Sequence, residues 1–283
     1  MNATIRYYGG KGCMYSQIMP FFPKKETYDT YIEPFGGSYG VGLRMHFIPP
    51  IEIYNDLDKN VYSLYKVLRD EELFAEFRKR CELCIVDEET RKEQLTLMKN
   101  SDLPLVDRAF AFFYVNRTSF NGSGGFSINP LIRNGVSKSV SDMFSAVNGL
   151  EQMHNRMSKV VVCNKNGLEL IDKYNTENVF IYADPPYVFN TRLSSARYNV
   201  EMSDTQHKEF VKLCSKTKAK VLISGYDNAL YDVLLENGFH KHIFSVKTID
   251  SKHKKRIKNE CLWFNYNTVE TEENNLFTIK QLI

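Results

Sequence analysis

The sequence contains no apolar segment approaching the ~20 residues needed to cross a bilayer. Residues 1–6 also lack the apolar stretch of a secretory signal. With 283 residues, 43% of them hydrophobic, the chain is long enough to bury a sizeable core. We therefore expect a globular cytoplasmic protein rather than a membrane-spanning or exported one.

Cysteine and histidine, the usual ligands of structural zinc, are scarce. Of the six cysteines, only Cys81 and Cys84 lie close together. One CxxC pair with no second pair and no nearby histidine is a weak metal signal. Its spacing places both thiols on one face of a predicted helix, where packing is the simpler explanation. We expect reduced cysteines and no bound metal.

Neither sign of charge dominates the chain, whose formal net charge is +3. The distribution is more informative, because residues 252–258 form a dense basic run, KHKKRIK. Such a run suits a phosphate backbone, although solvated basic loops are also common, and both interpretations stay open here. Lys254, Lys255 and Arg256 are the candidate nucleic-acid contacts in this run.

Alternating strand and helix patterns occupy both ends of the chain. The strand patterns at residues 178–184 and 219–224 are nearly continuous apolar runs, as in strands covered on both faces. Strands at 28–35, 51–56 and 160–163 and helices at 58–69, 203–216 and 228–237 complete the pattern. This alternation predicts an α/β fold with a mostly parallel, doubly wound sheet, and residues 260–267 are expected to form a final edge strand.

The middle of the chain differs, because its pattern is helical and charged. Helices are expected at 71–84, 88–98, 107–120 and 141–157, with a loop rich in Gly, Ser and Asn at 121–134. We interpret residues 58–157 as a helical insert in one α/β domain formed by residues 1–57 and 158–283.

A glycine-containing loop, EPFGGSYG at residues 33–40, follows the first strand and precedes a short helix expected at 41–47. Such a turn lets the backbone approach a nucleotide-like ligand, but a plain tight turn has the same pattern. Asp56 ends the next strand, where a carboxylate can bind ribose hydroxyls or cap the following helix. Asp58 can also cap that helix, which favours the ligand role for Asp56.

The motif Asp184-Pro185-Pro186-Tyr187 follows an apolar strand, which places it at the carboxyl edge of the sheet. Its prolines fix the backbone, so the carboxylate and the proline carbonyls are held rigidly. Two such acceptors can bind both N–H bonds of an amine on a planar base, while Tyr187 offers a ring for stacking. The motif therefore indicates chemistry at an exocyclic amine.

The chain resembles the D12-class (Dam-like) adenine-specific DNA N6-methyltransferases over nearly its full length. The resemblance rests on six motifs in the family's order: Tyr7-Tyr8-Gly9-Gly10-Lys11; Glu33-Pro34-Phe35 with Gly37; Tyr54-Asn55-Asp56 with Leu64-Tyr65; Asn116-Arg117-Thr118-Ser119-Phe120-Asn121-Gly122; Asp184-Pro185-Pro186-Tyr187; and Lys258-Asn259-Glu260. It implies a Rossmann-like fold dependent on S-adenosylmethionine, with a helical target-recognition insert. The implied reaction methylates N6 of adenine in double-stranded DNA and releases S-adenosylhomocysteine, in the cytoplasm of a bacterium or a phage-infected cell.

The resemblance also implies roles for individual residues. The donor would be bound by Tyr7, Lys11, Phe35, Gly37, Ser38, Asp56, Asn166 and Asp184, with Tyr7 near the sulfonium or the adenine and Lys11 at the carboxylate. In the insert, Arg117 would contact a phosphate and Phe120 would wedge into the base stack, although a core position also explains Phe120. Asn121 and Ser123 are further candidate DNA contacts.

The sequence departs from the family pattern at several positions. Tyr39 stands where a third small residue is common, and Ser123 and Gly125 stand where GATC-reading members carry a Leu and a guanine-reading Arg. We therefore do not expect GATC as the recognition site. An RNA methyltransferase with the same chemistry and a nucleic-acid-binding protein without turnover remain alternatives, the latter supported only by Tyr39.

Overall fold

The structure is a computed structural model that describes residues 5, 10–119, 125–126, 128–188, 200–249 and 255–268. Its strands are β1 Thr30–Glu33, β2 Ile51–Asn55, β3 Ile132–Arg133, β4 Val136–Ser137, β5 Val161–Cys163, β6 Val179–Ala183, β7 Lys220–Tyr226, β8 His240–Ile249 and β9 Lys255–Phe264. Its α-helices are α1 Tyr15–Ile18, α2 Lys59–Arg69, α3 Glu71–Glu82, α4 Glu88–Leu97, α5 Leu105–Thr118, α6 Lys138–Asn148, α7 Leu150–Met157, α8 Gly167–Lys173, α9 Asp204–Lys216 and α10 Asp232–Glu236.

Seven strands form one sheet in the order β5–β2–β1–β6–β7–β9–β8. Strand β6 is parallel to both β1 and β7, and β9 is antiparallel to β7 and β8. Every residue of β6 is buried, as its apolar sequence predicts for a strand covered on both faces. The predicted α/β, Rossmann-like fold class is confirmed.

The chain divides into two compact units. The first contains residues 1–13, 36–46 and 54–164, and the second contains residues 14–35, 47–53 and 165–283. The first unit includes the whole of the predicted insert, whose helices α2, α3, α5 and α7 pack together. The proposed division into a catalytic domain and an insert at residues 58–157 stays a prediction.

Most helices begin at a side chain suited to cap them. Asp58, Asp70 and Asp87 accept hydrogen bonds from the first-turn amides of α2, α3 and α4, and Ser203 forms a capping box with Gln206 at α9.

In the described part of the chain, no helix is long and apolar enough to span a membrane.

Several predicted elements need correction. The helix expected at 41–47 is only a 3-10 turn, Gly42–Arg44, since glycine lowers helix stability and Met45 is already extended. The helix expected at 141–157 is divided at Gly149 into α6 and α7. Helix α8 was not predicted.

The last strands also differ from the prediction. Strand β9, expected to be the edge strand, lies between β7 and β8, and β8 is the edge strand. The loop expected at 121–134 contains β3 and the first turn residue of a hairpin of β3 and β4, whose turn residues Asn134 and Gly135 both have positive φ. An Asn-Gly pair in this conformation is the preferred two-residue hairpin turn.

Candidate active site

Asp184 lies directly after β6, at the sheet edge where the carboxyl ends of β1, β6 and β7 meet. The parallel register pairs Ala183 with Ile223, which places Asp184 beside Ser224 on the neighbouring strand. Ser224 Oγ donates a hydrogen bond of 2.8 Å to Asp184 Oδ1. The register of β6 and β7 therefore orients the carboxylate of the motif.

A second hydroxyl supports this contact. Tyr182 Oη lies 2.9 Å from Ser224 Oγ. Burial raises the pKa of Tyr182 well above its ordinary value, and the negative charge of Asp184 adds to the effect. Tyr182 thus keeps its proton, and because the single proton of Ser224 goes to Asp184, Tyr182 is the donor to Ser224. The two hydroxyls form a relay that ends on the carboxylate.

Tyr187 is fixed by a different strand. Its hydroxyl donates a 2.8 Å hydrogen bond to Glu260 Oε2 on β9, and both side chains are buried. The Tyr226 ring packs against the Tyr187 ring at 4.5 Å between centroids and 73° between planes. The orientation of the tyrosine ring is therefore set by β7 and β9. Pro185, between Asp184 and Pro186, is buried as well.

Two predicted donor-binding residues lie in the second unit, Phe35 shortly after β1 and Asn166 shortly after β5 in the chain. Phe35 is half-exposed, and a Cβ added to Gly167 would lie only 2.8 Å from its ring. Asn166 caps α8, since its Oδ1 accepts the amide hydrogen of Leu168 at 3.0 Å. The structure thus gives Asn166 a helix-capping role that the sequence analysis did not consider.

The loop at residues 36–40 lies in the first unit, and the side chain of Asp56 is hydrogen-bonded to its backbone. Asp56 Oδ2 accepts the amide hydrogen of Gly37 at 2.8 Å, and Oδ1 accepts that of Asp58 at 2.8 Å. Asp58 caps α2 through the amide of Asn60, so the cap does not depend on Asp56. Burial raises the pKa of Asp56 to about 7, against the lowering effect of its two amide hydrogen bonds. A desolvated acceptor therefore stands beside the loop.

Lys11 is buried, with 4% of its surface exposed, at the start of a 3-10 helix, Lys11–Met14. The neighbouring backbone meets the loop closely, because a Cβ on Gly40 would lie 2.7 Å from the amide nitrogen of Gly12. Ser38 is also buried. Lys11, Gly37, Ser38 and Asp56 thus belong to one part of the first unit, whereas Tyr7 lies outside the described residues.

Tyr39 departs from the family pattern, but its side chain lies inside the first unit and does not fill the space around the loop at residues 36–40. Its φ is 55°, in the left-handed region, and its side chain is fully buried. The ring packs edge-on against Tyr54 and Tyr65. Gly42 makes room for this ring, since a Cβ there would lie 2.4 Å from it. The bulky residue is accommodated inside the unit.

The predicted DNA contacts are described only in part. Arg117 is half-buried and donates a 2.6 Å hydrogen bond to the carbonyl of Asp142 in α6, so it also links two helices. Lys255 and Arg256 are placed by their backbone in β9. Phe120, Asn121, Ser123 and Lys254 lie outside the described residues.

Sequence reasoning quoted Tyr54, Tyr65 and Glu260 only as parts of family motifs, without a role, and did not name Tyr182 or Ser224. Glu260 had a visible signal, because it is a lone acid in the otherwise largely apolar segment ECLWF. Ser224 ends an apolar run, but only the strand register shows that it faces Asp184. The tyrosines resemble ordinary core residues in sequence. Among the described residues, no group of three or more His, Cys, Asp or Glu side chains could hold a metal ion.

Comparison with known proteins identifies a common family. The profile of the D12 class N6 adenine-specific DNA methyltransferase family matches residues 7–254. The chain is 27% identical over 299 residues to the type II methyltransferase M.MjaIII of Methanocaldococcus jannaschii, covering 93% of this chain and 98% of that protein. It is 25% identical over 202 residues to the modification methylase StsI of Streptococcus sanguinis, covering 68% of this chain and 29% of that protein. A third relative is the type II methyltransferase M.CviBI of Paramecium bursaria Chlorella virus NC1A, 23% identical over 195 residues, which cover 66% of this chain and 69% of that protein.

Proposed function

The chain belongs to the D12 class of N6 adenine-specific DNA methyltransferases, and we propose that it transfers the methyl group of S-adenosylmethionine to one adenine within a specific sequence of double-stranded DNA. The observation that carries the proposal is the Asp184 carboxylate, held by Ser224 at the carboxyl edge of the sheet. The relatives are modification methylases, and we assign this chain the same protective role, in the cytoplasm where DNA and donor are both present.

The residues of the motif address a specific chemical difficulty. The lone pair of the adenine amine is delocalised into the ring, which makes the nitrogen a poor nucleophile. In our proposal, Asp184 and the Pro185 carbonyl accept its two N–H bonds and favour a pyramidal nitrogen whose lone pair faces the methyl group. The N–C bond forms as the C–S bond breaks, giving S-adenosylhomocysteine, and the amine proton then leaves to water.

The residues of the first unit fit the methyl donor. S-adenosylmethionine supplies an electrophilic methyl group and presents ribose hydroxyls, a carboxylate and an adenine to the protein. The buried Asp56 carboxylate is a suitable acceptor for ribose hydroxyls, because each oxygen can accept a further hydrogen bond. We assign Lys11 to the carboxylate of the donor. At Gly37 and Ser38 the backbone can approach the donor closely.

Further donor contacts are proposed for Tyr7 and for residues of the second unit. Phe35 is half-exposed and offers a ring edge, and Asn166 keeps its amide nitrogen for the adenine while its oxygen caps α8. Asp184 completes the set of proposed contacts.

Duplex DNA is assigned to the insert and to the basic run. The hairpin of β3 and β4 presents Ile132, which is 82% exposed, next to Arg133. A two-stranded ribbon of this kind fits the major groove, where an apolar side chain can contact a thymine methyl. We assign the same function, binding of duplex DNA, to Arg117, Phe120, Asn121 and Ser123. In the basic run, Lys254, Lys255 and Arg256 would contact the phosphate backbone of the DNA. We propose a recognition sequence other than GATC.

The proposal is tested by incubating the protein with tritiated S-adenosylmethionine and duplex DNA of mixed sequence, with structured RNA as competitor. We expect label on N6 of adenine in the DNA, and no label with the variant Asp184→Ala, which should still bind S-adenosylhomocysteine. Label on RNA alone, or donor binding by the wild-type protein without transfer to any nucleic acid, would contradict the proposal.

A further inference from the structure

Two tyrosine hydroxyls hold consecutive carbonyl groups of the glycine loop. Tyr54 Oη donates to the carbonyl of Gly37 at 2.8 Å, and Tyr65 Oη donates to the carbonyl of Ser38 at 2.6 Å. One tyrosine lies on β2 and the other on α2. Two tyrosines of the first unit thus act on neighbouring peptide groups, and Asp56 binds the amide that precedes them.

These hydrogen bonds determine which way the loop amides face. In a trans peptide the N–H and C=O groups point in opposite directions, and none of the described peptide bonds is cis. Because the Gly37 carbonyl points at Tyr54, the N–H of Ser38 points away from the tyrosines. The next amide, that of Tyr39, is used within the turn, where it donates to the Gly36 carbonyl at 2.7 Å. The hydroxyls therefore direct the Ser38 amide outward from the loop.

The tyrosines themselves have little freedom to turn. Tyr39, Tyr54 and Tyr65 are all fully buried. The rings of Tyr54 and Tyr65 lie 4.4 Å apart, and Tyr39 packs edge-on against Tyr54 at 4.9 Å. Gly36 allows this packing, because a Cβ there would lie 2.2 Å from the Tyr54 ring. The hydroxyls are therefore placed by close packing of three rings.

We propose that Tyr54 and Tyr65 are positioning residues for methyl-donor binding. They keep the Gly37 and Ser38 carbonyls directed into the unit, so that the loop presents an amide donor instead of carbonyl acceptors to the ligand. This inference rests on the proposed function, in which the loop binds the donor. If one tyrosine hydroxyl is removed, the buried loop carbonyl that it bonds loses that hydrogen-bond donor. The cost of this loss favours rotation of the peptide group.

The test is calorimetric titration of S-adenosylhomocysteine into the wild-type protein and into Tyr54→Phe and Tyr65→Phe. Each variant removes one oxygen atom and keeps the ring. We expect Kd to rise about tenfold in each, which corresponds to about 1.4 kcal/mol. The KM for the donor should rise in parallel, while kcat at saturating donor stays within about twofold. Tyr62→Phe, half-exposed on α2, is the matched control and should leave Kd unchanged.

Melting temperatures of all variants separate positioning from stability. If Kd changes by less than about threefold in both variants, the inference is wrong, whether or not the melting temperature falls. Should one variant fail to fold, the other decides alone, because each hydroxyl holds its own carbonyl. If the wild-type protein binds no S-adenosylhomocysteine, the proposed function fails instead, and that outcome is seen before any variant is compared.

Discussion

Replacing Ser224 by alanine removes the hydrogen bond that orients the Asp184 carboxylate, and we expect it to slow methyl transfer. Ser224 Oγ lies 2.8 Å from Asp184 Oδ1 and 2.9 Å from Tyr182 Oη. The side chain is buried on β7, so no solvent group occupies its place at once. Donor binding should change little, because Ser224 acts on only one of the proposed donor contacts, Asp184, and the others do not depend on it.

The size of the effect follows from the kind of hydrogen bond lost. A bond to a charged group contributes about 2 kcal/mol, which corresponds to a roughly 30-fold lower rate if it acts in the transition state. Tyr182→Phe removes a bond between neutral groups, worth about 1 kcal/mol, and should slow the reaction about fivefold. If Tyr182 acts only through Ser224, the variant with both substitutions should react roughly 30-fold more slowly than the wild type, as Ser224→Ala does. Independent effects would instead multiply to a roughly 150-fold slower rate.

The assay is single-turnover methyl transfer with tritiated donor at saturating DNA, which separates chemistry from product release. Ser215→Ala is a matched control, because its hydroxyl makes an exposed local hydrogen bond to the Lys212 carbonyl of the same helix, α9. A rate for Ser224→Ala within about twofold of the wild-type rate would refute the orienting role. Independent, multiplied effects in the double variant would refute the relay.

Two further predictions concern charge. The pKa of Asp56 is raised from 3.8 to about 7 by burial, so the folded state binds its proton more tightly than the unfolded state, and the stability this provides is lost as the pH rises from about 4 to about 7. In urea titrations, the stability of the wild-type protein relative to Asp56→Asn should therefore fall by roughly 2 kcal/mol between pH 5 and pH 7, and a constant difference would contradict the assignment. Arg117→Ala should reduce the salt dependence of DNA binding, log Kd against log salt, by about one unit if Arg117 contacts a phosphate, whereas Arg78→Ala, an exposed arginine paired with Glu82 and Glu151, should not. An unchanged slope with lower stability would mean that Arg117 acts through its bond to the Asp142 carbonyl alone.

The position of the Asp184-Pro185-Pro186-Tyr187 motif could be predicted because it depends on local pattern. An apolar run followed by Asp-Pro-Pro-Tyr has few interpretations, and β6 ends directly before Asp184. The partner of Asp184 could not be predicted, since Ser224 faces it only through the register of β6 and β7, which is a property of the assembled sheet. The same reason explains why Tyr54 and Tyr65, although they lie in a quoted motif, had no predicted role: their rings follow the pattern of ordinary core residues, and only their hydroxyls differ.

Other errors came from weak local signals. Strand β8, HKHIFSVKTI, shows no regular alternation of polar and apolar residues, and its basic residues are the kind that edge strands often carry. The pattern at 141–157 predicts one helix, whereas Gly149 separates α6 from α7. The sequence predicts Asn166 only as a ligand contact, because no helix is predicted after it and its position as the N-cap of α8 therefore has no sequence signal.

The contact between Tyr39 and Gly42 makes these two positions exchangeable only as a pair. The ring occupies the volume that any side chain at residue 42 would need, with 2.4 Å between them. A graft that brings Tyr39 into a relative with a larger residue at the position of Gly42 would force the ring away from its packing against Tyr54 and Tyr65. A graft that carries both residues would keep the loop open. Differences between relatives at this loop are therefore best compared, and engineered, two residues at a time.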